Sequence, residues 1–273
     1  MTQHFAQISS YLTSNRLCLN TSKTHTMVCC THQKRRHINT LAVTLETGEE
    51  TITPSPVERL LGVQVHQDLG FSEHLVGSRN SLTSSLTLRT NALKRISHVA
   101  SFKTRLAVCS AMVVSKILYV LPLCGGAPEY MLAAVQRKFN EAMRVVTWRR
   151  WAVLGRRLTS TTELLRQCNY LSVKQMVYYH SVAMVHKVMV NKAPVHLYHI
   201  LSQALASSVR HQYPTSTAGT RVVAPARLAA ANSSWRWRAA AQYAALPEQM
   251  RGEENVRIFQ TTLRKHTLDN VAI

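Results

Sequence analysis

Apolar positions change period several times along the chain, and each change marks an element. Phe5, Ile8, Tyr11 and Leu12 recur at helical spacing before Ser14-Asn15, which predicts a short amphipathic helix at the start. Short alternating runs follow, Thr24 to Cys30, Ile38 to Leu45 and Leu60 to Val65, set apart by Lys34-Arg35-Arg36, Thr47-Gly48-Glu49 and the prolines Pro54 and Pro56. Alternation bounded by turn-forming residues predicts a small antiparallel sheet. From Glu73 the period becomes helical: Leu75, Leu82, Leu86, Leu93, Ile96 and Val99 mark one long amphipathic helix or two short ones. Thr104 to Leu121 reads as a nearly all-round apolar helix ended by Pro122 and Gly125-Gly126, and Tyr130, Val135, Phe139, Met143 and Val146 as a third. Thr161 to Gln167 and Val173 to Val190 predict two more helices, residues 203–234 an extended linker, and Trp235 to Leu246 and Val256 to His266 two final helices. The expected fold class is mainly α with a small N-terminal antiparallel β element.

Charge narrows the partner. The 273 residues hold 33 Lys and Arg against 13 Asp and Glu, a net charge of +20, with 46% hydrophobic residues. That is enough apolar material for one or two packed domains and excludes a disordered polar tail. From His74 to Pro247 there are 23 lysines and arginines against only Glu129, Glu141 and Glu163, so that segment carries the whole net charge. Self-repulsion of this size suits a polyanionic partner. No long basic helix with an aromatic face stands out, which favours nucleic acid over an anionic membrane. A solvated basic surface is the plainer alternative.

The six cysteines show no CxxC pair and read as reduced thiols of an intracellular protein, nuclear or cytoplasmic, with no mark of secretion. The longest apolar run, Leu106 to Cys124, is interrupted by Lys116, Ser110 and Ser115 and reads as a buried helix, not a membrane span. His25, Cys29, Cys30, His32 and His37 have metal-ligand chemistry, but no second pair follows at a zinc-site interval, so no metal site is expected. Only Asp68 and Asp269 are aspartates, too few for a complete two-metal polymerase or nuclease site. There is no nucleophile elbow and no glycine-rich phosphate loop. Trp148-Arg149-Arg150-Trp151 places two π-faces and two guanidiniums side by side, a pattern suited to nucleic acid, and Trp235-Arg236-Trp237-Arg238 repeats it. The alternative for each is that the tryptophans anchor to the core while the arginines are solvated.

Several pieces, in order, carry a family likeness. Asn15-Arg16-Leu17-Cys18-Leu19-Asn20-Thr21-Ser22-Lys23-Thr24, with Met27, resembles the segment that follows the catalytic motif in LINE-type, non-long-terminal-repeat retrotransposon reverse transcriptases. Leu60-Leu61-Gly62-Val63 followed by Phe71, His74 and Leu75 resembles the family's primer-grip hairpin leading into the thumb. Thr104-Arg105, Lys116 to Tyr119, Gln136-Arg137-Lys138-Phe139-Asn140 and Arg144 resemble successive thumb helices. Leu164-Leu165, His186-Lys187-Val188, Ala193-Pro194 and Leu246-Pro247 resemble the end of such reading frames.

The resemblance implies the end of a palm with a primer-grip hairpin over residues 1–72, a helical thumb over 73–148, a helical connection over 149–202, and a linker with C-terminal helices over 203–273. It implies that Lys23 contacts phosphates, that Leu60, Leu61 and Gly62 shape the primer grip, and that the thumb binds RNA, RNA–DNA or DNA duplex. Its contacts would fall on Lys94, Arg95, Lys103, Arg105, Arg137, Lys138 and Arg144, joined by Trp148, Arg149, Arg150 and Trp151. The family's metal-binding aspartates and Tyr-x-Asp-Asp turn would lie before residue 1. Magnesium would need that upstream palm, so no cofactor is expected for this chain, and alone it is expected to be inactive as an RNA-directed DNA polymerase. The alternatives are a non-functional translated transposon remnant and a host-adopted interaction protein.

Overall fold

A computed structural model describes residues 2–30, 45–46, 51–148, 160–207 and 234–271. It separates two compact units, Met1–Ser81 and Leu82–Ile273. Among the described residues the architecture is mainly helical, with small antiparallel ladders in the first unit.

In the first unit, helix α1 (Thr2–Ser14) is followed by a 3-10 turn, Thr21–Lys23. Strands β1 (Leu45–Glu46) and β2 (Thr51–Ile52) pair antiparallel. Strands β3 (Val57–Leu60) and β4 (Val63–His66) form a hairpin with Leu60 opposite Val63. The alternating run expected as one strand, Leu60 to Val65, is therefore broken by a turn. Both central residues have positive φ, Leu61 at 49° and Gly62 at 83°, the arrangement of a tight two-residue hairpin turn. Thr24 to Cys30 is not a strand either. It makes one bridge, Thr26 to Pro54, and Pro54 and Pro56 have no N–H with which to extend the ladder. Of the run expected from Ile38 to Leu45, residues 38–44 lie outside the described residues, as do His32 and His37.

The period after Glu73 belongs to two elements, as one of the two readings has it. A π turn, Glu73–Gly77, is separate from helix α2 (Leu82–Ile96). Ser78 Oγ donates to Gln64 Oε1, and the buried His74 Nδ1 accepts the Gln64 N–H at 3.3 Å, so the hairpin is tied to that turn.

The second unit opens with a helical bundle. Helix α2 buries Leu82, Leu86 and Leu93 and packs along α6 (Glu129–Val146). Between them α3 (Phe102–Cys109) runs through a π segment, Ser110–Val114, into α4 (Ser115–Leu118). Ser101 caps α3 by accepting the Thr104 N–H. The π segment re-aims one carbonyl, Met112 O, which accepts from Arg89 Nη1 at 3.0 Å. The apolar helix stops ahead of Pro122, at Leu118 and not at the expected Leu121, and Pro122 does more than end it. It opens a further short helix, α5 (Leu121–Cys124), whose first turn needs no N–H there. Val99 is solvent-exposed and not part of the apolar face, because α2 has already ended at Ile96.

Helix α7 (Thr161–Cys168) leads to α8 (Val173–Asn191), which is capped by reciprocal bonds between Ser172 and Gln175. Val177, Val182, Val185 and His186 lie on different sides of α8 and all are buried, because α5, α6, α9 (Val195–Ser207), α10 (Trp235–Ala244) and α12 (Val256–Asn270) all pack against it. Short α11 (Glu248–Arg251) precedes α12. Helix α9 continues through 203–207, the start of the expected linker. The rest, 208–233, lies outside the described residues.

Candidate nucleic-acid interface

The residues expected to face a polyanion fall into two groups, and the difference is which way their helix turns them. Helix α6 illustrates the sorting. Within Gln136-Arg137-Lys138-Phe139-Asn140, Phe139 and Asn140 are buried, while Arg137 is exposed. The polar members of the motif hold the fold: Gln136 Nε2 donates to Asn140 Oδ1 at 2.8 Å, and Asn140 Nδ2 to Thr161 Oγ1 at 2.9 Å. Gln136 Oε1 accepts the N–H of Val173 at the start of α8, so one relay joins α6, α7 and α8. Lys138 pairs with Glu141 at 3.2 Å, and Arg144 lies half-buried in the last turn.

Lys94 and Arg95 project from the last turn of α2 and Lys103 from the first turn of α3; all three are exposed. Arg95, Lys103 and Arg137 make no ion pair or side-chain hydrogen bond among the described residues, and Lys94 reaches only Asn91 Oδ1 at 3.4 Å. Residues 82–148 contain nine lysines and arginines against Glu129 and Glu141, so little local negative charge competes for them.

Arg105 is placed differently. Its Nε donates to Val146 O at 2.9 Å, and its Nη1 to Ala100 O at 2.6 Å and Ser97 O at 3.2 Å. The guanidinium carbon sits 5.1 Å from the centre of the Trp148 ring. One arginine thus satisfies carbonyls just beyond α2 and at the end of α6, where the partial negative charge of both helix ends collects. Trp148, at φ 57° and partly exposed, lies against it as a cation–π partner. Sequence reasoning counted Arg105 and Trp148 among the nucleic-acid contacts, and no signal in the sequence reports that these carbonyls meet at one point. Arg149, Arg150 and Trp151 lie outside the described residues.

In the first unit Lys23 is exposed at the end of its 3-10 turn, its N–H bonded to Asn20 Oδ1 at 3.1 Å. Leu60 and Leu61 are exposed at the hairpin tip, Leu61 at 83%, and Gly62 is half-buried. Leu75 is the one buried hydrophobic side chain among the described residues of this unit.

In the second tryptophan–arginine run the tryptophans follow the anchoring alternative, and of the arginines Arg236 is exposed while Arg238 turns inward and donates to Pro122 O. Trp235 and Trp237 pack on the core of α8, α9, α10 and α12, and Arg236 lies over Trp237 at 4.9 Å. In the same core His186 stacks on Phe259 with ring centres 3.5 Å apart, and its Nδ1 lies 3.3 Å from Tyr243 Oη. Burial pushes the His186 imidazole below its ordinary value, with Glu253 acting in the opposite direction. Burial likewise lowers His180.

Among the described residues no group of three or more His, Cys, Asp or Glu is disposed to hold a metal ion, and no helix is long and apolar enough to cross a membrane. No family model, no curated protein and no solved structure matches this chain.

Proposed function

We propose that this chain is a LINE-type reverse transcriptase fragment, palm end and thumb, that binds RNA or a template–primer duplex and does not itself transfer nucleotides. One observation carries the binding: Lys94, Arg95, Lys103 and Arg137 are exposed on the helical bundle with no carboxylate partner among the described residues. Cations left without counter-charge at a protein surface are neutralised most cheaply by phosphates that release condensed ions. Four such contacts correspond to a log–log salt slope of about −3.6, or roughly a hundredfold loss of affinity between about 50 and about 200 mM salt. The test is fluorescence anisotropy on an RNA–DNA duplex across that range. Replacing all four residues by alanine should flatten the slope by about 3.6 units while the far-ultraviolet spectrum stays unchanged. A wild-type affinity that hardly responds to salt removes the proposal.

A second reading rests on the first unit. Leu60, Leu61, Leu69, Ile8, Tyr11 and Leu17 are all more than half exposed there. That much uncovered apolar surface fits an orphaned interface, in a transposon remnant or in a protein adopted for interaction. It calls for dye binding and self-association that persist after the four basic residues are replaced. A monodisperse monomer that binds no dye rejects it.

A further inference from the structure

Arg238 lies in the first turn of α10 but points into the second unit. Its Nη2 donates to the carbonyl of Pro122 in α5, and a Cβ on Gly125 would come within 2.8 Å of that nitrogen, so glycine leaves the guanidinium its place. The other two donor nitrogens, Nε and Nη1, are sealed from solvent and have no hydrogen-bond partner. Two more polar atoms on the same stripe of α10 share this state, Trp235 Nε1 one turn before and Gln242 Oε1 one turn after. Residues three or four apart on a helix are neighbours, with Cβ atoms about 5–6 Å apart.

A guanidinium cannot shed its proton, and a cation removed from water needs a counter-charge. Arg238 makes no ion pair with a carboxylate among the described residues. Its titratable neighbour Cys124 is fully buried, its thiol pushed up to about 12 chiefly by that burial, and so it is neutral at pH 7. What the cluster has is a fixed positive charge, two unused guanidinium donors, an indole N–H, and an amide that offers its NH2 instead of its oxygen when turned over.

We propose that Arg238, with Trp235 and Gln242 beside it, binds a phosphate-class oxyanion. Guanidinium groups match such oxygens in geometry and charge, and the indole N–H adds a neutral donor from the neighbouring turn. This site is separate from the exposed cations of α2, α3 and α6 and does not depend on them. The anion is either free phosphate or a phosphodiester of a bound strand, and the two are separable.

The test is thermal unfolding of the full chain in potassium phosphate against potassium chloride at equal ionic strength. Wild type should melt higher in phosphate, with a shift that saturates. Trp235→Phe keeps the ring and loses the N–H, so its half-saturating phosphate concentration should rise about tenfold. Arg238→Met keeps the stem and should show no phosphate-specific shift; should it not fold, Trp235→Phe decides. A short single-stranded RNA in phosphate-free buffer identifies the source. A wild-type shift with RNA, and a salt slope about one unit smaller in Arg238→Met, assigns the phosphodiester. A response to phosphate alone assigns the free anion. Equal melting of wild type in phosphate and chloride, or an unaltered phosphate response in Trp235→Phe and Arg238→Met, overturns the proposal.

Discussion

Replacing Arg105 by methionine separates two roles that the sequence alone runs together. Methionine keeps much of the stem packing and removes every N–H, so Val146 O, Ala100 O and Ser97 O lose their donor and Trp148 loses the charge over its ring. Hydrogen bonds from a charged donor contribute about 1.5–3 kcal/mol where buried, and the cation–π contact about 0.5–1 kcal/mol. Arg105 is half-buried and its three bonds share one side chain, so their effects do not add. The expected net loss is about 3 kcal/mol, which for a unit of this size lowers the melting temperature by about 6–12 °C. Arg105→Lys should recover roughly half, since one ammonium restores the charge at the helix ends but cannot serve carbonyls on both sides. Urea unfolding followed by circular dichroism measures the loss, and anisotropy on an RNA–DNA duplex, at a temperature where both proteins are folded, measures binding. Arg105→Met should bind within about twofold of wild type, because its guanidinium is occupied within the protein. A loss under about 1 kcal/mol, together with a salt slope reduced by about one unit, would refute the reasoning and return Arg105 to the phosphate-contacting set.

Three further outcomes follow from the same structure. Leu61 sits at φ 49° and is largely exposed, so Leu61→Asn should steady the hairpin by about 1 kcal/mol, seen as slower amide exchange across the Leu60–Val63 pair; unchanged exchange would contradict the turn geometry. Asn140→Leu leaves Gln136 Nε2 and Thr161 Oγ1 without their partner and should cost about 2 kcal/mol in urea unfolding, whereas a neutral outcome would show that the relay does not join the helices. Burial lowers His186 below its ordinary 6.5, so the unfolded chain takes up a proton at a pH where the folded chain does not. Its contribution to stability is complete above pH 6.5 and declines as the pH falls toward the folded value, at up to about 1.4 kcal/mol per pH unit. Melting curves of wild type and His186→Leu between pH 7.5 and 5 should diverge in slope, and parallel slopes would show that His186 is not the group involved.

The apolar period of the sequence was enough to locate α6, α7, α8, α10 and α12 to within a few residues, whereas the run from Glu73 to Val99 left open whether it held one helix or two, and the linker expected from 203 began inside α9. Helical spacing is a local property, and a face that must be buried announces itself in the residues that form it. Composition likewise placed the net positive charge between residues 74 and 247, the greater part of which belongs to the second unit. The breaks were less legible. Alternation by itself makes Leu60 to Val65 one strand; the hairpin found there, which only the family resemblance implied, depends on the sign of φ at Leu61, and leucine gives no warning of a positive value. Whether Thr24 to Cys30 becomes a strand depends on its partner, and the partner here holds two prolines. The roles of the arginines were decided only by tertiary structure. Arg95, Arg105, Arg137 and Arg238 are the same side chain in similar basic surroundings, yet two stay exposed, one satisfies carbonyls at two helix ends, and one lies inside with donors unpaired. Net charge, the sum that composition reports, does not say which carbonyls or which solvent each guanidinium meets; that depends on how helices distant in sequence pack, because hydrogen bonds act over about 3 Å.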